Sequence, residues 1–323
     1  MLQQTQVATV INYYHRWFAH FPTVRDLADA NEASVLLAWQ GLGYYQRARS
    51  LHQCAKTIVA QFDERFPSTV EELIKLPGVG RYTAGAIVSF AFDLPAPIVD
   101  VNIARVLSRL AEVKQPIDIP RGRKKLWDLA ERFAGGINPR LSNAALMELG
   151  ATLCSARNPQ CGSCPVKTFC RAKDPLLLPR KKERRTIEPR CEEYFFALMD
   201  GHVLLEQRTE RRWRGLWTLP ILSKEPDSTG METPGFPLVC LRHPITRFIV
   251  HLKVFRQDPP GRLNQGQEWK PLTSIEDLPM PSPHRRALKL ALWQTSVRTA
   301  MPDFPLASPG QPRRLFGSHE SLR

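Results

Sequence analysis

Four cysteines, Cys154, Cys161, Cys164 and Cys170, stand in the pattern C-x6-C-x2-C-x5-C. Thiolates are soft ligands, and four on one short loop can wrap an iron-sulfur cluster or a tetrahedral zinc. Zinc usually sits between two C-x2-C pairs that are well separated. Here only Cys161 and Cys164 are closely paired, so the spacing favours a 4Fe-4S cluster. The other cysteines, Cys54, Cys191 and Cys240, are scattered. No signal-peptide apolar stretch opens the chain and no apolar run is long enough for a bilayer, so disulfides and a membrane partner are not expected. The expected location is cytoplasmic.

Two more strings carry chemistry. In Leu76-Pro-Gly-Val-Gly-Arg-Tyr-Thr-Ala-Gly-Ala-Ile87, Pro77 ends one helix and a new one is expected near Arg81. Gly78 and Gly80 would supply positive backbone angles to a tight hairpin between them. Main-chain donors of Gly78, Val79, Gly80 and Arg81, helped by the helix dipole, can grip a DNA phosphate without base preference. A plain helix-helix connection is the alternative. Further on, Ile98-Val99-Asp100-Val101-Asn102 precedes the helical run Ile103 to Leu110, where Asp100 could simply be an N-cap. Tyr44 and Tyr45 follow Gly41-Leu-Gly at a turn rather than in an apolar stripe, which favours a surface role.

Charge points the same way as the hairpin. Lys plus Arg total 45 against 31 Asp plus Glu, a net charge of +14. That balance favours a polyanionic partner, nucleic acid first. Part of the excess lies in the run from Arg180 to Arg190 and around Arg313 and Arg314, which could be solvated linker and tail.

Helical periodicity must position these groups in the first half of the chain. It predicts helices over Leu2 to Phe21, Val35 to Trp39, Ala48 to Phe62, Lys125 to Phe133 and Asn143 to Cys154. Ser68-x-x-Glu71 reads as a capping box opening a further helix toward Leu76. Past a Pro-rich and charged stretch the character changes. Strands are expected at Tyr194 to Met199, Val203 to Gln207, Val239 to Leu241 and Phe248 to Phe255, and a closing helix over Pro283 to Thr295. From Ser296 the Pro, Ser and Arg content predicts a disordered tail.

The order hairpin, then Val-Asp at a helix start, then the cysteine loop resembles the helix-hairpin-helix family of base-excision DNA glycosylases. Endonuclease III-like members carry a Lys where this chain has Tyr82, and that amine forms a Schiff base with the sugar. Tyr cannot, so the resemblance points to the adenine DNA glycosylase branch, which hydrolyses only the base-sugar bond. Met1-Leu-Gln-Gln-Thr-Gln-Val7 and Gly41-Leu-Gly-Tyr-Tyr-Gln-Arg-Ala-Arg49 look like further signatures of that branch. The resemblance implies that Gln4, Thr5 and Tyr44 meet DNA, with Gln4 and Tyr44 entering the base stack around the lesion pair. It implies Asp100, Tyr82 and Asn102 as the catalytic group. Arg214-Gly-Leu-Trp-Thr-Leu-Pro220 and Arg242 to Phe248 are similar to the Nudix-like domain that reads 8-oxoguanine, with Thr246 at the contact position. The acidic box of a working Nudix hydrolase, G-x5-E-x7-R-E-x-x-E-E, is absent, so a reader rather than a hydrolase is expected. Relatives often have Phe-Ser-His where this chain has Ile245-Thr246-Arg247.

The resulting expectation is a mostly α N-terminal region, a helix-hairpin-helix glycosylase domain over residues 1–173 with its 4Fe-4S loop at 154–170. A basic linker (174–190), a smaller α+β Nudix-like domain (191–295) and a disordered tail (296–323) would follow. The resemblance covers about 290 of the 323 residues. The implied partner is double-stranded DNA with an A:8-oxoguanine or A:G mispair, bound by a monomer. Removing adenine also needs an acid to protonate the leaving purine. In the family this is a Glu two residues before the Met-Leu-Gln-Gln string, ahead of Met1, and Tyr82 is too weak an acid to replace it. A misassigned start is the favoured explanation. A catalytically silent lesion-binding protein and a redox-sensing DNA-binding protein are the alternatives.

Overall fold

The protein was analysed as a computed structural model, which describes residues 1–2, 5–135, 138–183, 186–222, 235–245 and 247–300, with side chains as far as 296. The first half is helical: α1 (Val7–His20), α2 (Val24–Asp29), α3 (Glu32–Ala38), α4 (Gln46–Phe62), α5 (Val70–Leu73), α6 (Arg81–Ala91), α7 (Val101–Leu110), α8 (Pro120–Ala134) and α9 (Pro139–Thr152). Local chemistry explains most of these boundaries. Thr23 and Asp26 form a reciprocal capping box at α2, Asn31 caps α3, and Pro120 and Pro139 occupy first turns where no amide donor is needed. The cap of α5 is shifted by one residue from expectation. Thr69, not Ser68, accepts from the Glu72 amide, because its hydroxyl is the one facing the first turn. Helix α1 begins at Val7 rather than Leu2, and α2 was not foreseen.

Apolar faces then close the helices into three packed groups. Trp17 of α1 meets Trp39 edge to face at 5.5 Å inside a core with Val35, Leu36 and Ala48. Helices α4, α5 and α6 pack through Ile58, Leu73 and Val88, while α7, α8 and α9 pack through Ile103, Leu107, Leu126 and Leu146.

The second half is α+β. Its strands are β1 (Glu188–Phe196), β2 (Leu198–Met199), β3 (His202–Gln207), β4 (Trp217–Thr218), β5 (Val239–Ile245), β6 (Phe248–Arg256) and β7 (Gln267–Pro271), closed by α10 (Ser282–Ala300). One sheet has the order β1-β6-β5, with β1 and β6 parallel; the other runs β2-β3-β4 with β7 on the free side of β3. Strand β1 starts at Glu188, inside the stretch expected to be linker, because it pairs residue for residue with β6. Strand β7 had no counterpart in the sequence reading. The closing helix runs past Ser296 to Ala300, and the rest of the expected tail lies outside the described residues.

The core between the sheets buries His284 of α10 completely. Its Nδ1 accepts from the Leu219 amide, and its ring meets Tyr194 and Trp213 edge to face. Burial, then the charges of Arg212, His243 and Arg208, hold His284 well below the usual imidazole range. An unfolded His takes up its proton near pH 6.5, above the folded value, so stability is complete above that pH and falls below it. Thermal unfolding midpoints are therefore expected to drop between about pH 7.5 and pH 5. A flat midpoint over that range would contradict the buried, neutral ring.

Candidate active site and iron-sulfur loop

The hairpin forms as expected at Gly78 but not at Gly80. Gly78 has φ +78°, and a Cβ there would stand 2.4 Å from Ser50 Cβ of α4, so position and conformation both require glycine. Gly80 is extended, with φ −93°, and open space surrounds the position a Cβ would take. It serves instead as the N-cap of α6, with no side-chain cap. The first-turn amides of α6 consequently have no intrahelical partner and face an exposed turn, the arrangement that suits an incoming anion. Val79 closes the turn through its amide to Leu76 O at 3.1 Å. Arg81 is exposed but engaged, stacked over Trp127 of α8 at 4.0 Å and paired with Glu131 at 2.8 Å.

Asp100 is the N-cap of α7: its Oδ1 accepts from the Ile103 amide at 2.7 Å. The carboxylate has no other hydrogen-bond partner among the described residues, so its second oxygen is uncommitted. Tyr82, on the first turn of α6, lies close enough to feel that charge. Its phenol is raised above the ordinary tyrosine range, first by burial and then by Asp100, so it stays a protonated hydrogen-bond donor at neutral pH. The bland reading of Asp100 is thus correct without displacing the catalytic one, since capping uses one oxygen and fixes the other.

Residues not foreseen hold these groups in place. Buried Asn143 of α9 donates to Ser89 Oγ at 2.8 Å and Ala96 O at 2.9 Å, tying α9 to α6 and to the segment leading into Asp100. At Gly150 a Cβ would sit 2.7 Å from Asn102 Cβ, so glycine is what lets α9 approach α7. Asn102 Oδ1 accepts from Arg105 at 2.9 Å, one turn along the same helix. Arg105 also donates to Gly150 O at 2.6 Å and Cys154 O at 2.7 Å. Arg109, one turn on and buried, donates to the carbonyls of Cys154, Ser155, Ala156, Pro175 and Leu178 and to Cys154 Sγ at 3.2 Å. The sequence signal was two arginines four apart on one helix, which alone reads as a solvated face.

The helix that begins at Asp100 therefore ends as the anchor of the cysteine loop. Leu110 O receives the Arg171 amide at 3.1 Å, so α7 holds both ends of that loop. Cys154, Cys161, Cys164 and Cys170 line one cavity of about 290 Å³. A single zinc would draw four sulfurs to about 3.8 Å from one another, given Zn–S distances near 2.3 Å. Four cysteines spread around a cavity much larger than one ion fit a multi-atom iron-sulfur cluster instead.

The loop that carries Tyr44 lies at the start of α4. Tyr44 is 56% exposed and has φ +48°, while Tyr45 is buried. Arg47 donates to Leu42 O, Gly43 O and, at 3.4 Å, Thr5 Oγ1, which brings Thr5 beside this loop. Gln4 and Thr246 lie outside the described residues.

Comparison with known proteins accords with this geometry. Residues 1–132 match the HhH-GPD superfamily of base excision DNA repair proteins, and residues 154–170 match the iron-sulfur binding domain of endonuclease III. The chain belongs to the HhH-GPD superfamily. Residues 194–290 match the NUDIX domain, so this member joins a helix-hairpin-helix region to a Nudix fold. Among its relatives, the adenine DNA glycosylase of Rattus norvegicus is 48% identical over 53% of this chain and 34% of its own length. That of Buchnera aphidicola subsp. Baizongia pistaciae is 38% identical over 70% of this chain and 66% of its own. That of Buchnera aphidicola subsp. Acyrthosiphon pisum is 28% identical over 90% and 87%. The chain spans about a third of the length of the mammalian relatives it matches.

Proposed function

We propose that the chain is a monofunctional adenine DNA glycosylase acting on adenine mispaired with 8-oxoguanine or guanine. The observation that carries this reading is the pairing of Asp100 with Tyr82. One carboxylate oxygen is fixed by a cap and the other is uncommitted, and a phenol stands where an imine-forming amine would be needed for strand cleavage. The hairpin at Gly78 to Arg81 holds a backbone phosphate through main-chain donors. Tyr44 enters the stack, and stacking offsets part of the few kcal/mol needed to extrude a base. As the bond to the purine lengthens, Asp100 stabilises the positive charge that develops on the sugar while Tyr82 donates a hydrogen bond at the reacting centre. Departure of the purine also needs a proton from a general acid. When bound, the cluster orders the loop that presents Lys167 and Arg171 to the DNA backbone, and no step of base removal passes through it.

Single-turnover kinetics test the reading. Adenine release from A:8-oxoguanine and A:G duplexes is expected, without strand nicking and without a borohydride-trapped protein-DNA adduct. Trapped adduct with nicking would replace it by a lyase.

A further inference from the structure

We propose that the second domain sets the geometry of the Gly41–Tyr45 loop, with Gln40 and Tyr45 as positioning residues for the stacking wedge. The coupling to base extrusion rests on the reading of Tyr44 given above; the loop geometry does not. Gln40 and Tyr45 bracket the loop, and both bond to the second domain at one residue. Gln40 Oε1 accepts from Met280 N at 3.1 Å and from Arg285 Nη2 at 3.0 Å, and the Tyr45 hydroxyl donates to Met280 O at 3.1 Å.

The support on the far side is stiff. Met280 is fully buried in the core that also holds Leu252 and Val254 of β6. Arg285 secures the segment before it by donating to Ile275 O, Leu278 O and Glu276. The loop itself has an unfavourable backbone. Gly41, Gly43 and Tyr44 have φ of +100°, +69° and +48°, and for tyrosine that conformation costs about 1 kcal/mol. Such a backbone persists only when its surroundings over-determine it. The helical region supplies part of that constraint, through Trp39 Nε1 to Gly43 O at 3.1 Å and the Arg47 bonds. The three bonds to Met280 and Arg285 supply the rest. The domain with the Nudix fold thus holds the loop whose Tyr44 is proposed to open the stack.

Gln40→Ala, Gln40→Glu and Tyr45→Phe separate this role from general stability, with Tyr44→Ala as the reference. Two readouts apply to the full chain: hydrogen exchange of the loop amides in the free protein, and unstacking of 2-aminopurine placed beside the target adenine. Tyr45→Phe, which loses one hydrogen bond, is expected to speed loop exchange and slow unstacking by about fivefold, and Gln40→Ala, which loses two, by more than that, with undamaged-duplex affinity unchanged in both. Gln40→Glu keeps an acceptor for both donors and should behave as the parent chain does. Parent-like loop exchange in both Gln40→Ala and Tyr45→Phe would overturn the proposal. Faster loop exchange in those variants, with Tyr44→Ala unstacking the base at the parent rate, would leave the positioning intact and reject the wedge instead.

Discussion

Asp100→Asn is expected to slow adenine release by roughly 10²- to 10⁴-fold while changing duplex affinity by no more than about twofold. The asymmetry follows from the two jobs of one side chain. Asn is as good an N-cap as Asp, so the Ile103 amide keeps its acceptor and α7 its starting geometry. What disappears is the negative charge that the proposed mechanism sets against the sugar. Asp100→Ala removes the cap as well and should cost about 1 kcal/mol of stability in addition. The pair of variants therefore separates capping from catalysis. A folded Asn variant that still releases adenine within about tenfold of the parent rate would leave Asp100 as a helix cap and nothing more.

Arg109→Leu carries the largest expected effect on stability. The guanidinium serves five carbonyl oxygens and one cysteine sulfur from a fully enclosed position, and no other side chain described here reaches the same set. Leucine would fill much of the space but take the donor from the Ser155, Ala156 and Leu178 carbonyls, while Cys154 O keeps Arg105 and Pro175 O keeps the Leu178 amide, a loss of about 3–5 kcal/mol at about 1–3 kcal/mol for each buried acceptor left unpaired. Because three of the carbonyls belong to Cys154, Ser155 and Ala156, the loop should lose order and iron content should fall with it. Lysine should not rescue, since a single ammonium cannot span acceptors that a planar fork reaches. Chemical denaturation and iron per chain measure both effects. An unchanged midpoint with full iron loading would mean that the loop holds itself.

The sequence made the site more legible than its supports. The cysteine spacing, the hairpin string and Asp100 before an amphipathic helix each depend on short local patterns, and the structure gathers them where those patterns suggest. Gly80 misled because glycine serves equally as a positive-φ residue and as a bare N-cap, and only the backbone tells which. Thr69 was passed over for Ser68 because adjacent hydroxyls are equivalent in sequence and differ only in where the chain points them. Arg105, Arg109 and Asn143 were invisible for a different reason. Their partners lie 45 to 69 residues away along the chain, and polar side chains that bond distant main-chain oxygens leave no local period to detect. Strand β7 was missed because Gln267–Pro271 alternates weakly and becomes a strand only by pairing with β3.

One leucine ties the two halves of the chain more closely than any surface contact could. Leu216, from the second half, is wholly enclosed among Trp39, Leu42 and Tyr45 of the helical half, with Trp213 beside it. Gly215, at φ +73°, lets the chain pass next to Arg49, whose guanidinium bonds Arg214 O. A descendant that discarded everything after the iron-sulfur loop would inherit a hole in the core of its helical half. Such a lineage could survive only by refilling that space from within, so the paired architecture resists loss by simple trimming.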